Sequence, residues 1–293
     1  MKRLILVFFV VLFSVAAFSD DVARTTGELP VNPLTLFVHG DTHSGLDGTA
    51  TLHKKITKRI IECNPTLIFN CGDVIHNLEY PQENWQKFDE TFGYFVSRYP
   101  YYPTIGNHDA SELQYYFDYF SNLPLNGNGG RYYYVGHPLA IFIVLDVHDA
   151  SRPADFNTQL TWLQNVLTTY SGKLYKFVFF HRASHTFGMR GPCIWARDFD
   201  PVIQQHGVDI VFMGHTHAYE RTVHGGVQYI VTGGAGGVLH DLILPPTAPG
   251  LPLPYEYIEE THNYVTVVMA EPFAYVAARY PDGVVFDSFR IYK

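Results

Sequence analysis

Cysteine, charge and sequence repetition are all scarce in this chain of 293 residues. Cys63, Cys71 and Cys193 are too few, and odd in number, for a disulfide framework. At most one bridge forms, so stability has to come from a core. Charged residues make up only 16% of the chain, no run of Lys or Arg occurs, and the net charge is −8. Nucleic-acid binders need a basic footprint, so no nucleic acid duplex is expected as a partner. There is no Asn-x-Ser/Thr acceptor for N-glycosylation, no internal repeat and no low-complexity linker. What is plentiful is apolar: 47% of residues, with 21 Tyr and 22 Phe. That content excludes a disordered chain and supplies a densely packed globule.

The beginning of the chain carries Lys2-Arg3, an apolar stretch over 4–18 and the small-x-small triplet Ala17-Phe18-Ser19. This pattern reads as a secretory signal peptide over residues 1–19, and 20–293 is expected to form a single domain. About 15 apolar residues are short for a membrane span. The expectation is export to a periplasmic, extracellular or secretory-lumenal space, with no stable membrane span after signal removal.

Beyond residue 33 the first half alternates strand and helix. An apolar run over 34–38 precedes a helical pattern over 52–62, and 67–70 reads as the next strand, a β–α–β unit. Helical spacing returns over 83–99, 111–120, 158–169 and 199–206; residues 131–135 and 140–146 form a hairpin after the turn Asn126–Gly130. Strand-like segments follow at 208–213, 227–231, 264–270, 275–279 and 284–291, with a Pro-rich loop at 242–254. These elements predict an α/β fold, a four-layer αββα sandwich of two packed mixed sheets flanked by helices.

Short polar motifs punctuate the apolar runs in a fixed order. Gly40-Asp41-Thr42-His43 follows 34–38, Gly72-Asp73 follows 67–69, and Gly106-Asn107-His108-Asp109 follows 101–105. His181 follows 177–180, and Gly214-His215-Thr216-His217 follows 210–213. A strand that ends in Gly and then a ligand residue delivers that side chain to the rim of a sheet. Singly these are weak signals; the last motif, two imidazoles two residues apart, is the strongest. Together, carboxylate, imidazole and amide donors favour transition metals, and a pair of ions about 3.5–4 Å apart is the clamp used for displacement at phosphorus.

This order of motifs resembles the calcineurin-like metallophosphoesterase superfamily, from Asp41 to the Gly-rich segment at Gly233. The resemblance implies a dinuclear centre. One ion would be held by Asp41, His43 and His217, the other by Asn107, His181 and His215, with Asp73 bridging. It places His108 beside the phosphate, as general acid or as a stabiliser of developing charge. It implies hydrolysis of a small phosphorylated substrate by metal-bound hydroxide: a phosphomonoesterase first, a phosphodiesterase or nucleotide hydrolase second, and a non-enzymatic metal-binding scaffold last. Gly214-His215-Thr216-His217-Ala218-Tyr219-Glu220-Arg221 and the stretch Gly233-Gly234-Ala235-Gly236-Gly237 are similar to the purple acid phosphatases. That family binds iron through a Tyr where this chain has His76, so two ions of Fe, Mn or Zn in the divalent state, and no purple colour, are expected. Asn77 stands where protein phosphatases carry a phosphate-gripping Arg; Arg182, Arg190 and His185 are the candidate replacements.

Overall fold

Residues 140–145 and 177–180 run apolar without a break because the strands they form are buried on both faces. In the computed structural model, which describes residues 33–76, 80–242 and 255–293, alternate side chains of these strands enter different cores. Ala140, Phe142 and Val144 join Phe177, Phe179, Ile210 and Phe212 in one cluster, while Ile141, Ile143 and Leu145 join Val178, Phe180, Val211 and Met213 in another. The expected leader (1–19), Asn77 and residues 243–254 of the Pro-rich stretch lie outside the described residues.

Along the chain the elements are β1 (Leu34–His39), α1 (Ala50–Cys63), β2 (Leu67–Asn70), α2 (Pro81–Phe88), α3 (Tyr94–Arg98) and β3 (Tyr101–Pro103). Then come α4 (Leu113–Tyr119), β4 (Tyr133–Gly136), β5 (Ala140–Val144), α5 (Phe156–Thr169), β6 (Tyr175–Arg182) and α6 (Asp200–Gln205). The remainder is strand: β7 (Ile210–Gly214), β8 (Tyr219–His224), β9 (Val227–Thr232), β10 (Tyr255–Glu259), β11 (Tyr264–Met269), β12 (Phe273–Arg279) and β13 (Val285–Tyr292).

The strands make a 6-stranded sheet, β13-β12-β11-β1-β2-β3, and a 7-stranded sheet, β10-β8-β9-β7-β6-β5-β4. Both are mixed: β1, β2 and β3 run parallel, as do β5, β6, β7 and β9, with antiparallel neighbours outside them. The sheets face each other through stacked rings, Phe69 on Phe179 at 4.1 Å. Helix α1 covers the far side of the first sheet with His53, Ile56, Ile60 and Cys63, a stripe at helical spacing. Full burial of Ile56 and of Ile60 stabilises by about 1.5–3 kcal/mol each. The helix stops where Asn64 turns left-handed (φ 43°) and gives its N–H to the Ile60 carbonyl. Helices α5 and α6 cover the second sheet. The four-layer arrangement is the one the element pattern predicts.

Local differences have local causes. The helix expected over 83–99 is divided by a wide turn at Asp89–Gly93, where the Asp89 carboxylate folds over the glycine to accept the Tyr119 hydroxyl (2.7 Å). Strands β8 and β10 are absent from the sequence reading. In β8, Glu220 and Arg221 break the apolar pattern, but each is satisfied by residues far along the chain. Glu220 accepts from Thr186 and the Phe187 amide, and Arg221 forks onto both oxygens of Asp287. The three cysteines are buried and free.

Candidate metal centre

Parallel strands β1, β2, β6 and β7 bring their carboxyl ends to one rim, the place where α/β sheets present ligand-binding residues. After β1 and β2 the ladder continues through the turns: the Asp41 N–H reaches the Gly72 carbonyl (2.9 Å) and the His43 N–H the Asp73 carbonyl (3.1 Å). These turns force unusual backbone. Among the described residues the non-glycine positions at positive φ are Asp41 (57°), His43 (47°), Asn64 (43°), Asp73 (51°) and His215 (67°). Setting aside the helix-ending Asn64, all are candidate ligands. Left-handed backbone costs an ordinary residue about 1–2 kcal/mol, and such strain gathers where geometry serves a site.

The donor atoms fall into two triads. Those of Asp41, His43 and His217 lie within 4.8 Å of one another, and so do those of Asp73, His181 and His215. Asp73 joins the triads: its Oδ2 is 3.5 Å from His43 Nε2 and 3.3 Å from His181 Nε2. Asn107 Oδ1 lies 3.1 Å from the same His181 nitrogen. Partners behind the rings fix which nitrogen faces inward. His181 donates Nδ1–H to the Cys71 carbonyl (2.8 Å), and His217 donates Nδ1–H to the Val238 carbonyl (2.6 Å). His43 Nδ1 meets His76 Nδ1 at 2.7 Å. Each of these contacts leaves Nε2 as the ligand nitrogen, the usual arrangement behind a metal-binding imidazole.

The donor set fits divalent transition ions. So does one orphan. His43 Nε2 is buried without a hydrogen bond, although Asp73 Oδ2 stands 3.5 Å and Asp41 Oδ1 3.9 Å away. Electrostatics agree. Burial pushes the Asp73 carboxyl up, but His181 and His43 outweigh it and hold it well below the carboxylate range. Burial pulls His181 down, yet Asp73 outweighs that and raises it to about 9; His215, desolvated and facing His181 and Arg182, is lowered to about 2. His181 thus holds a proton where a cation would sit, and metal binding would displace it.

His108 sits beside this centre. Its backbone N–H donates to Asp73 Oδ1 (2.8 Å), its Nδ1 donates to the His76 carbonyl, and its Nε2 is 3.9 Å from Asp73 Oδ2. A Cβ on Gly106 would stand 2.1 Å from Asp73 Oδ1, so the chain passes only as glycine. Arg182 donates to the His148 carbonyl (2.7 Å) and to His215 Nε2 (2.8 Å). Arg182, Arg190 and His215 line a cavity of about 520 Å³ with Trp195 and Ile194. His185 is not brought there: its Nε2 is 3.0 Å from Asp200 Oδ2, and its ring packs on Tyr229.

Some residues acquire roles that sequence reasoning did not give them. Asp109 accepts N–H groups from Val74 (2.9 Å), Ile75 (3.3 Å) and Gly106 (2.9 Å), fastening the Asp73 turn to the Asn107 loop. His240 stacks on His217 with ring centroids 4.0 Å apart. Its nearness to Gly233–Gly237 in sequence is the only signal it offered. His53 reaches the Thr42 carbonyl (2.7 Å) from α1 and so supports the first turn from behind.

Comparison with known proteins points the same way. The chain is 27% identical over 206 residues to purple acid phosphatase 18 of Arabidopsis thaliana, a match covering 65% of this chain and 45% of that protein. Its fold is similar to purple acid phosphatase PPD1 from yellow lupin (Lupinus luteus), with a TM-score of 0.75, 17% identity, and 89% and 54% of the two chains covered. It is also similar to a dimetal phosphatase from Danio rerio, with a TM-score of 0.64, 16% identity, and coverage of 89% and 99%. The chain spans about half the length of the two purple acid phosphatases. The family model for calcineurin-like phosphoesterases matches residues 34–219, from the first residue of β1 to the first of β8 and across the whole rim. The chain belongs to the calcineurin-like phosphoesterase family.

Proposed function

We propose that this chain is a metal-dependent phosphoester hydrolase of acid-phosphatase type, acting first on phosphate monoesters. The observation that carries this reading is the division of the donor atoms into two triads joined through Asp73. Family members use a dinuclear metal centre. Here Asp41, His43 and His217 would hold one ion, and Asn107, His181 and His215 the other, with Asp73 shared. Two such ions, when bound, polarise a phosphate oxygen and make water acidic enough to attack at neutral pH. Fe, Mn or Zn in the divalent state suits the donors, because His76 spends its Nδ1 on His43.

The chain's own residues do the rest. His108 is anchored at Nδ1 by a carbonyl, so Nε2 is the atom that carries a proton to the leaving oxygen or steadies its charge. Arg182, held by the His148 carbonyl and released by His215 once that ring serves an ion, offers a guanidinium to phosphate, and Arg190 lines the same cavity. Lys2-Arg3 and the apolar stretch 4–18 support export. No helix among the described residues is long and apolar enough to cross a membrane.

A second reading, hydrolysis of diesters or nucleotides, is favoured by one feature. The cavity beside His215 has room for a second ester group, and Trp195 offers an aromatic wall. Turnover of the purified protein, reconstituted with Mn, Fe or Zn, separates these possibilities with an alkyl monoester, a bis-aryl diester and nucleotides as substrates. The first reading expects the monoester to be turned over fastest. A faster diester or nucleotide reaction would replace it with the second, and no turnover despite two bound ions would leave only a metal-binding scaffold.

A further inference from the structure

Away from the rim, a separate group of donors converges under the outer helices. The geometry points to a mononuclear site for a divalent transition ion formed by His185, Asp200 and His224, independent of the centre around Asp73. Donor atoms of these residues lie within 4.8 Å of one another, and none of the three belongs to the rim triads. His185 and Asp200 are buried. They come from separate elements: the loop after β6, the first residue of α6 and the last residue of β8.

Each donor is held in place by something other than an ion. Asp200 accepts the Tyr229 hydroxyl on Oδ1 (2.7 Å), which leaves Oδ2 turned to His185 Nε2 at 3.0 Å. A carboxylate pinned through one oxygen and offering the other is how ligating carboxylates are oriented. His224 is paired in register with Val227 across a two-residue turn whose glycines, Gly225 and Gly226, are both at positive φ (57° and 83°). That is the tight hairpin whose twist matches the strands, so the His224 backbone is fixed. Its ring stands 5.1 Å from that of His185 and makes no hydrogen bond among the described residues.

A plain hydrogen-bonded chain from His185 through Asp200 to Tyr229 would satisfy three of these groups and leave His224 idle. An ion uses all of them. Two imidazoles and one carboxylate suit Zn²⁺, with water completing a tetrahedron. On binding, the ion takes the place of the proton on His185 Nε2 and releases it to solvent. The bound ion would fasten the β8–β9 hairpin and α6 to the loop that leads from Arg182 to Arg190.

The test uses the full-length protein carrying Asp73→Ala, so that the rim is disabled, stripped by chelator and titrated with Zn²⁺ and with Co²⁺. A single equivalent of metal per chain is expected, with the visible absorption of low-coordinate Co²⁺. Adding His224→Ala should remove that equivalent, and adding Tyr229→Phe should keep it but weaken binding by about 10–100-fold. Circular dichroism checks that each variant folds. No binding by Asp73→Ala, or an ion kept after His224→Ala, overturns the site. Should Asp73→Ala fail to fold, His224→Ala in the otherwise unchanged protein must lower total zinc by one equivalent; unchanged content overturns the site equally. A rim that keeps its ions in Asp73→Ala contradicts the bridging assignment alone, because His224→Ala still removes one further equivalent.

Discussion

At the rim, Asp41, Asp73 and His215 each follow a glycine directly and sit at positive φ; around Asp200, the backbone of His185, Asp200 and His224 is ordinary loop, helix start and strand end. Carboxylate and imidazole donors serve both places, and the rim adds the Asn107 amide. The rim uses strained turns at the ends of parallel strands, so side chains from two sheets meet beside an open cavity. The outer cluster is wedged between a helix and a hairpin, with Tyr229 closing its back. Strained backbone that aims buried side chains at one point beside a cavity suits a reaction, whereas a cluster assembled without such strain suits a fastening.

The sharpest way to break this comparison is Asp73→Ala. Loss of the carboxylate shared by both triads should strip both rim ions and abolish hydrolysis, while leaving the outer donors intact. Metal analysis beside a turnover assay checks it, and full activity with two rim ions still bound would refute the shared ligand. His108→Ala comes next. It should keep the metal but slow esters of poor leaving groups by about 10²–10⁴-fold. Equal slowing of activated aryl esters would assign His108 to phosphate binding instead of proton donation.

The same contrast explains what could be read in advance. Most rim donors were legible because Asp41, Asp73, Asn107 and His215 directly follow Gly at the end of an apolar run, with His43 and His217 two residues on, so a linear motif records the turn that positions them; His181 has only the apolar run before it. The layers were legible because helix and strand periods differ and the strands alternate between two cores. His185, Asp200 and His224 carry no such mark: they are scattered between 185 and 224, and only the pairing of β8 with β9 and the start of α6 bring them together. The role of Asp109 was hidden for a similar reason. Its partners Val74 and Ile75 lie in a different strand connection, and a buried carboxylate that accepts backbone N–H groups has no sequence signature. Strand β8 was hidden by its buried Glu220, whose partners lie 33 and 34 residues away.

Glycines in the two regions should respond differently to the same change. Gly106→Ala puts a methyl 2.1 Å from the Asp73 backbone nitrogen and Oδ1, so the loop must shift, at a cost of about 1–3 kcal/mol in stability together with weaker rim metal binding. Gly226→Ala meets nothing within 4 Å and pays only for its positive φ (83°), about 1–2 kcal/mol, with the rim ions retained. Thermal melts and metal content of the two variants decide this. Equal loss of rim metal in both would mean that the regions are coupled rather than separate.

The smallest expected effect concerns the support behind the rim. His53 is buried, gives Nε2–H to the Thr42 carbonyl, and has its pKa lowered from 6.5, chiefly by burial and further by His43, although the Thr42 bond opposes the shift. Its folded-state pKa therefore lies below the unfolded value. Above pH 6.5 the ring is neutral in both states and its contribution to stability is full. As pH falls below that value the unfolded chain takes up a proton that the folded chain refuses, and stability is lost until the folded pKa is passed. The slope contributed by one such group is at most about 1.4 kcal/mol per pH unit. His53→Gln keeps a donor near the Thr42 carbonyl and cannot titrate, so its stability should decline less steeply than that of the unchanged protein below pH 6.5 and run parallel above it. Denaturant midpoints measured across that range at matched metal content read the difference. Parallel curves throughout would mean that His53 titrates alike in both states and that the Asp41–His43 turn needs no neutral imidazole behind it.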